Sequence, residues 1–215
     1  MLFSTSLING PAGPLECLIT QGADPQKNIT AILCHPHPQF SGTMHNKVIT
    51  TLMQTCRDLG MDSVRFNFRG VGKSAGSYGE GEGELEDCLA VVNWVKQQQP
   101  DHAILLAGFS FGGCIAMRAA AQILPKGLIT IAPPVSRMNC DNVPFIACPW
   151  IMLQGEKDET VEPESVYEFV AMRSEKINLI RMPQAEHFFH GQLTALKEQL
   201  TEAILKCDIL TPCIT

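Results

Sequence analysis

The stretch Ala103–Cys114, AILLAGFSFGGC, decides the fold that we expect for this chain. Its apolar run Ala103–Ala107 predicts a buried strand, and the small residues of Cys114–Gln122 predict a helix. Between them lies a G-x-S-x-G sequence, Gly108–Gly112, in the strand–turn–helix setting of a nucleophile elbow. Glycines on both sides of such a strained turn let the strand and the helix pass closely. The stretch therefore predicts Ser110 as a nucleophile, with a glycine-rich turn around an ordinary serine as the alternative.

Length and composition indicate one globular domain over residues 1–215 with a substantial core. The net charge of -6, with no Lys/Arg cluster or basic amphipathic helix, argues against nucleic-acid and membrane-surface binding. No apolar run approaches the roughly 20 residues of a membrane span. The opening MLFSTSLING lacks the features of a signal peptide, and nine cysteines without a C-x-x-C pair favour reduced thiols. We therefore expect a cytoplasmic protein.

The order of apolar segments predicts an α/β fold. Leu2–Ile8 and Leu15–Thr20 form an antiparallel pair around a Gly/Pro turn, and strands then alternate with helices. The later strands are expected at Ile29–Cys34, Met61–Phe68, Ala103–Ala107, Leu128–Ala132, Trp150–Leu153 and Ile177–Met182. This pattern predicts a mostly parallel, doubly wound sheet with helices on both faces. Too little chain lies between Ala132 and Trp150 for a cap domain, so we expect an open, shallow site.

Reactive residues follow three of these strands: Ser110, Asp158 and His187. The carboxyl ends of parallel strands meet at one edge, where ligands bind in doubly wound sheets. A serine hydroxyl needs a histidine to take its proton, and that histidine needs a carboxylate to hold its tautomer. The chain order Ser, Asp, His is the one expected for a triad on this kind of sheet. The spacing therefore predicts a catalytic triad.

Two of the triad positions have neighbours of the same type. Glu156 and Glu162 compete with Asp158 for the acid, and His190 competes with His187 for the base. His187 is preferred over His190 because Glu186-His187 follows Pro183 directly at the loop.

Several motifs together resemble the α/β-hydrolase superfamily, and within it small cap-less bacterial hydrolases related to dienelactone hydrolase. They are HPHPQFSGTMHNKV, FNFRGVGKSAG, GFSFGG, LQGEKDETV and AEHFFHG, spread from Cys34 to Gly191. The resemblance implies Ser110 as nucleophile, Asp158 as acid and His187 as general base. Asp158 is preferred over Glu156 and Glu162 because it lies at the usual distance past the strand in the resembling motif LQGEKDETV. The chain departs from the family at Ser41-Gly42, where Gly-Gly is usual, and at His45, where Asp is common. These departures concern the rim of the pocket.

An oxyanion hole requires two backbone N–H donors, one of them from the residue after the nucleophile. That residue is Phe111. The second donor is expected in the loop after the third strand, whose prolines have no N–H to give. We expect the His37 amide to be this second donor, with the amide of Gln39 or Phe40 as the alternative. A packing role alone is the other interpretation of His37.

Substrate contacts are predicted at the rim. Gln39 and Phe40 come from the same loop, and an apolar wall is expected from Pro133, Pro134, Val135, Met138 and Phe145. Arg69, Lys73 and Tyr78 are interpreted as loop structure near the mouth of the site that helps to orient an anionic substrate.

Two rival sites are weaker. His35, His37 and His45 lack nearby partners for a metal. Gly72-Lys73-Ser74 fails the phosphate-loop pattern because Asn67 stands where the first glycine is required. No metal or cofactor is therefore expected.

These observations predict a serine hydrolase that cleaves small to medium carboxylic esters or thioesters. Its partner is a small-molecule ester, and the chain is expected to be a monomer or a homodimer. The alternatives are a peptidase, an acyl transferase or a cofactor-free perhydrolase on the same fold, or a binding module without catalysis.

Overall fold

A single eight-stranded sheet organises the protein, for which the computed structural model describes residues 3–24, 27–137 and 140–211. The strands are β1 (Phe3–Gly10), β2 (Gly13–Thr20), β3 (Ile29–Cys34), β4 (Asp62–Phe66), β5 (Ala103–Phe109), β6 (Gly127–Ile131), β7 (Trp150–Gly155) and β8 (Ile177–Met182). The helices are α1 (Lys47–Asp58), α2 (Glu82–Gln98), α3 (Phe111–Ile123), α4 (Pro163–Met172) and α5 (Leu193–Leu205). In this described part of the chain, no helix combines the length and the apolar character needed to cross a bilayer.

The sheet order is β1-β2-β4-β3-β5-β6-β7-β8, in which the strands from β4 to β8 are parallel. β2 runs antiparallel to both β1 and β4. The fold class expected from the sequence is therefore confirmed. The chain winds outward from β3 to β4 and then crosses to β5 on the other side of β3. This switch point puts the carboxyl ends of β3 and β5 side by side, which is where ligands bind in such sheets.

Helices cover both faces of the sheet, so its central strands are buried on both sides. Alternate residues of β5 show this: Leu105, Ala107 and Phe109 pack with α1 and α5, whereas Ile104 and Leu106 pack with α2 and α3. A strand covered on both faces reads as a continuous apolar run rather than an alternating one. This explains why AILLA marked β5 in the sequence.

The turn after β5 holds Ser110 in a strained conformation, with φ 52° and ψ −121°. A Cβ on Gly108 would lie 2.1 Å from the carbonyl oxygen of Gly112, and one on Gly112 would lie 2.1 Å from that of Cys34. Both positions therefore require glycine for steric reasons. The Ser110 amide donates to the Ile131 carbonyl at 2.8 Å, which ties the turn to β6.

The loop after β3 is braced by the buried ring of His35. The amide of Phe68 donates to His35 Nε2 at 3.1 Å, so the proton of the neutral ring lies on Nδ1, which donates to the Pro36 carbonyl at 2.6 Å. Burial lowers the pKa of His35 to about 4. This contact also explains why β4 ends at Phe66 rather than at the predicted Phe68: the Phe68 amide is bonded to a side chain instead of a strand.

Helix α1 begins where its cap predicts. Asn46 Oδ1 accepts hydrogen bonds from the amides of Val48 at 2.9 Å and Ile49 at 3.4 Å. These are two of the four amides that a helix start leaves without partners. The cap fixes the point at which the loop after β3 ends.

The expectation that all nine cysteines are free thiols is wrong for one pair. Cys114 and Cys140 form a disulfide with a Cα–Cα distance of 5.8 Å. The chain after β6 folds back over the first turns of α3, and a separation of 26 residues gives no sign of this approach in the sequence. The bond ties the loop between β6 and β7 to the helix that follows Ser110.

Replacing Asn46 with alanine is expected to lower the free energy of unfolding by about 1 kcal/mol, because the amides of Val48 and Ile49 lose their acceptor. Asn46→Ser is the matched control, since serine also caps helices and should retain most of the stability. Urea unfolding of the three proteins measures the difference. Equal stability of the alanine and serine variants would contradict the capping role.

His35 is expected to make the protein acid-sensitive. Its folded pKa of about 4 lies below the ordinary value near 6.5, so the unfolded chain binds a proton that the folded chain rejects. The resulting stability is complete above pH ~6.5 and is lost as the pH falls towards 4, by about 3 kcal/mol. His35→Gln keeps an acceptor for Phe68 but does not titrate. Urea unfolding between pH 6.5 and 4 should show the steeper loss in the wild type, and parallel profiles would disprove this account.

Candidate active site

Ser110, His187 and Asp158 meet at the carboxyl edge of the sheet. His187 Nε2 lies 3.0 Å from Ser110 Oγ, and His187 Nδ1 lies 2.8 Å from Asp158 Oδ2. His187 and Asp158 are each 5 % exposed, whereas Ser110 is half-buried. The hydroxyl thus faces the surface, and the two groups behind it are shielded from water.

Asp158 lies on the loop after β7, and its carboxylate accepts four hydrogen bonds. Its Oδ1 accepts from the amides of Thr160 and Val161, both at 2.8 Å. Its Oδ2 accepts from Gln154 Nε2 at 3.1 Å as well as from His187. Both carboxylate oxygens are therefore satisfied, which fixes the plane of the group.

These contacts set the protonation state of Asp158. Burial on its own raises the pKa of a carboxyl, but the hydrogen bonds from His187, Val161 and Thr160 outweigh it. The pKa of Asp158 is lowered below its ordinary value, so the group is a carboxylate near neutral pH. A carboxylate only accepts, so His187 Nδ1 is the donor and Nε2 is the acceptor for the Ser110 hydroxyl. The three groups can pass a proton from Ser110 to His187.

The neighbours that competed for these positions in the sequence lie elsewhere. Glu156 and Glu162 are exposed, and the amide of Glu156 is bonded to the Met182 carbonyl. His190 is exposed, with its ring 5.9 Å from that of Phe188 rather than at Ser110. Only Asp158 and His187 are brought into a line with Ser110 among the described residues.

An aromatic cluster flanks Ser110 on the side of the loop after β3. The His37 ring lies 4.8 Å from the Phe111 ring, 4.8 Å from Phe40 and 5.0 Å from Tyr78, measured between centroids. The Gln39 amide donates to His37 Nδ1 at 3.3 Å, so Nε2 carries the proton and donates to the Tyr78 hydroxyl oxygen at 3.2 Å. The cluster joins this loop to the first residue of α3.

The backbone amides of His37 and Phe111 have no hydrogen-bond partner among the described residues. Two residues further along α3, the amides of Gly113 and Cys114 donate to the Ser110 carbonyl. Phe111 is the first residue of α3, where the helix dipole favours negative charge. The pair predicted from the sequence is thus available to bind an oxyanion.

The predicted substrate contacts are distributed unevenly. Gln39 and Phe40 are exposed on the loop beside the aromatic cluster, as expected. Val135 is only 2 % exposed and belongs to the core, and Pro134 is also buried, so they offer little surface to a substrate. The loop after β6 turns inward at these residues, which the sequence does not reveal.

The rest of the predicted wall fails or lies outside the structure. Phe145 is exposed, but it lines a cavity of about 610 Å³ at the amino ends of β7 and β8, the opposite edge of the sheet from Ser110. Met138 lies outside the described residues. The prediction that Phe145 forms an apolar wall beside the substrate is therefore wrong, because at this residue the loop after β6 has already reached the opposite edge of the sheet.

Arg69 does not reach towards a substrate. Its guanidinium forms an ion pair with the buried Asp87 at 2.8 Å and a second with Glu86 at 3.1 Å. The expectation that Arg69 orients an anionic substrate is therefore wrong, because Glu86 and Asp87 of α2 neutralise its charge. Lys73 is exposed, and its amide donates to Glu16 Oε2 at 2.9 Å.

The rival sites from the sequence also have structural explanations. Ser74, the last residue of the Gly-Lys-Ser sequence, donates to the Asn67 carbonyl at 2.6 Å and accepts from the Glu16 amide, so it closes a loop. His35 braces the loop after β3, and His37 bonds to Tyr78. In the described ranges no three His, Cys, Asp or Glu side chains are grouped to hold a metal.

Two residues in contact with the triad were not predicted from the sequence. Gln154 is fully buried and bonds to Asp158, and Phe109 places its ring 5.1 Å from that of His187. A lone amide at the end of the apolar run Trp150–Leu153 was the available signal for Gln154. Phe109 carried none, because an aromatic residue inside a buried strand reads as core.

Comparison with known proteins places the fold in a family. A family model described as the alpha/beta hydrolase fold matches residues 32–147, more than half of the chain. An uncharacterized protein of Rickettsia prowazekii is 32 % identical over 208 residues, covering 92 % of this chain and 87 % of that protein.

Solved structures give the same result at high similarity. An alpha-beta serine hydrolase homologue from Coxiella burnetii is 45 % identical with a TM-score of 0.91, covering 94 % of this chain and 97 % of that one. A serine hydrolase without a lid from Xanthomonas campestris is 41 % identical with a TM-score of 0.90, covering 95 % and 94 %. The chain therefore belongs to the alpha/beta hydrolase fold family and has the cap-less form of that fold.

Proposed function

We propose that the protein is a serine hydrolase that cleaves carboxylic esters or thioesters of small to medium acyl groups through Ser110, His187 and Asp158. The observation that carries the proposal is the continuous line of hydrogen bonds from Ser110 Oγ through the imidazole to Asp158, at 3.0 Å and 2.8 Å. The similar serine hydrolases from Coxiella and Xanthomonas support the reaction class.

In the first half of the reaction Ser110 Oγ attacks the acyl carbon while His187 Nε2 takes the hydroxyl proton. The carbon–oxygen (or carbon–sulfur) bond to the leaving group then breaks, and His187 gives the proton to the departing alcohol or thiol. An acyl-enzyme remains on Ser110.

In the second half a water molecule attacks the acyl carbon, and His187 Nε2 takes a proton from it. The bond to Ser110 breaks, the serine oxygen recovers the proton from His187, and the acid leaves. Asp158, ionised and buried, stabilises the imidazolium that forms in each half.

The amides of Phe111 and His37 are the proposed oxyanion hole. The negative charge that develops on the carbonyl oxygen is stabilised by two N–H donors and by the amino end of α3. The Tyr78–His37–Gln39 hydrogen bonds support this role, because they fix the loop that carries the His37 amide. Burial and the nearby Glu84 and Glu80 raise the pKa of Tyr78, so its hydroxyl stays protonated.

We further propose, from the sequence, that the protein is related to dienelactone hydrolase in particular and lies in the cytoplasm. In this proposal residues 1–215 form one domain, and the chain is a monomer or a homodimer. The half-buried Ser110 and the cap-less fold support an open site that takes a small-molecule substrate.

Replacing Ser110 with alanine is expected to lower kcat for p-nitrophenyl esters by at least about 10³-fold, because no nucleophile remains. A fluorophosphonate probe should label the wild type and leave Ser110→Ala unlabelled. Ser136→Ala is the control, since it removes an exposed serine hydroxyl outside the proposed triad.

Ester hydrolysis that survives in Ser110→Ala would refute the mechanism, and so would a folded wild type that fails to react with the probe. Amino-acid amides and acyl acceptors tested in the same assay separate an esterase from a peptidase or a transferase.

Replacing Asp158 with asparagine is expected to lower kcat by about 10⁴-fold, because the amide no longer selects the His187 tautomer with the proton on Nδ1. Glu156→Gln and Glu162→Gln are the matched controls, since each removes one nearby carboxylate that does not contact His187. Steady-state hydrolysis at pH 8 measures all three. If either control loses as much activity as Asp158→Asn, the acid is assigned to the wrong residue.

A further inference from the structure

An exposed aromatic side chain stands directly against the proposed general base. The ring of Phe188 is perpendicular to that of His187, with centroids 5.0 Å apart and an interplanar angle of 83°. It also meets the buried Phe109 ring edge-on at 6.1 Å. Phe188 is nevertheless 49 % exposed, whereas the adjacent Phe189 is fully buried. A single exposed phenylalanine is unremarkable in itself, so its place beside His187 carries the inference.

The chemistry of the reaction says what lies on this side of the serine. His187 Nε2 gives its proton to the leaving alcohol, so the leaving oxygen must come within hydrogen-bond reach of that nitrogen. Whatever is attached to that oxygen extends past the imidazole. A second exposed phenylalanine near the site, Phe40, contacts His37 on the side of the oxyanion amides. The two exposed phenylalanines therefore border different parts of a bound ester.

The surroundings of Phe188 favour an apolar group. The rings it contacts are those of His187, Phe109 and His190, which together form one aromatic surface. His190 lies 5.9 Å away at 32° and extends the aromatic surface outward. Flat and apolar groups bind well against such surfaces, because they lose contact with water and stack on a ring face.

We propose that Phe188 forms the leaving-group subsite and that the enzyme prefers esters of aryl and arylalkyl alcohols over esters of small or polyhydroxy alcohols. This inference rests on the proposed esterase activity and adds the class of alcohol that the site selects. Phe188 is a specificity-determining residue in this account.

The test varies the alcohol and keeps the acyl group constant. Benzyl, ethyl and glyceryl acetates all form the same acetyl-enzyme, so differences in kcat/KM between them arise in the steps up to and including departure of the alcohol. We expect Phe188→Ala to lower the benzyl-to-ethyl and benzyl-to-glyceryl ratios of kcat/KM by about three- to tenfold. Phe188→Leu retains an apolar side chain without a ring, so its ratios should lie between those of the wild type and of Phe188→Ala. Phe40→Ala, the matched change at the other exposed ring, should leave both ratios within twofold of the wild type.

The outcomes distinguish the subsite from other roles of Phe188. A uniform loss on all three acetates would mean that the ring only holds His187 in place, and unchanged ratios would mean that it touches no substrate; either result overturns the subsite. Both leave the esterase proposal standing, because the wild type still hydrolyses the acetates in a Ser110-dependent way. A wild type that is labelled at Ser110 but hydrolyses none of the three overturns the stated preference, and one that is neither labelled nor active overturns the esterase proposal with it.

Discussion

The close passage of backbone at Gly108 and Gly112 is the constraint on which the site depends. A side chain at Gly108 would collide with the Gly112 carbonyl oxygen, and one at Gly112 with the Cys34 carbonyl oxygen, each 2.1 Å away. Helix α3 therefore packs directly against the backbone of strands β5 and β3. Ser110, between β5 and α3, is forced to a positive φ that costs about 1–3 kcal/mol for a residue with a side chain. The hydrogen bond from Ser110 to Ile131 and the fully buried strand β5 maintain that strain. As a result the hydroxyl is raised to the rim, and the amide of Phe111 is left at the start of the helix.

The parallel sheet brings the remaining groups to the serine. His187 and Ser110 are 77 residues apart in the chain, and Asp158 and His187 are 29 apart, yet they follow the parallel strands β5, β7 and β8 at the same edge of the sheet. Rigid strand ends fix where the loops begin, so side chains on short loops are placed with little freedom. This accounts for the difference in exposure between the half-buried serine and the two shielded groups behind it.

The sequence predicted those parts of the molecule whose position follows from strand order, and it missed those that depend on the path of a loop. The strands and the order of Ser110, Asp158 and His187 were readable because apolar runs and polar strand ends are local features. Arg69 and Phe145 were misread for a different reason. Whether Arg69 faces the site or turns to Asp87, and at which edge the chain lies when it reaches Phe145, depends on contacts between distant segments.

Gln154 shows how the chain favours the electrostatics of the site over its stability. Its Nε2 donates to Asp158, but its Oε1 is buried with no hydrogen-bond partner among the described residues. An unsatisfied buried acceptor costs about 1–3 kcal/mol, and a leucine at this place in the apolar strand β7 would avoid that cost. A leucine would also remove a donor from the oxygen of Asp158 that binds His187, and the pKa of the carboxyl would rise. The Gln154 amide therefore costs stability in β7 but keeps Asp158 ionised. The proposed mechanism requires an ionised Asp158, which explains a glutamine at this position.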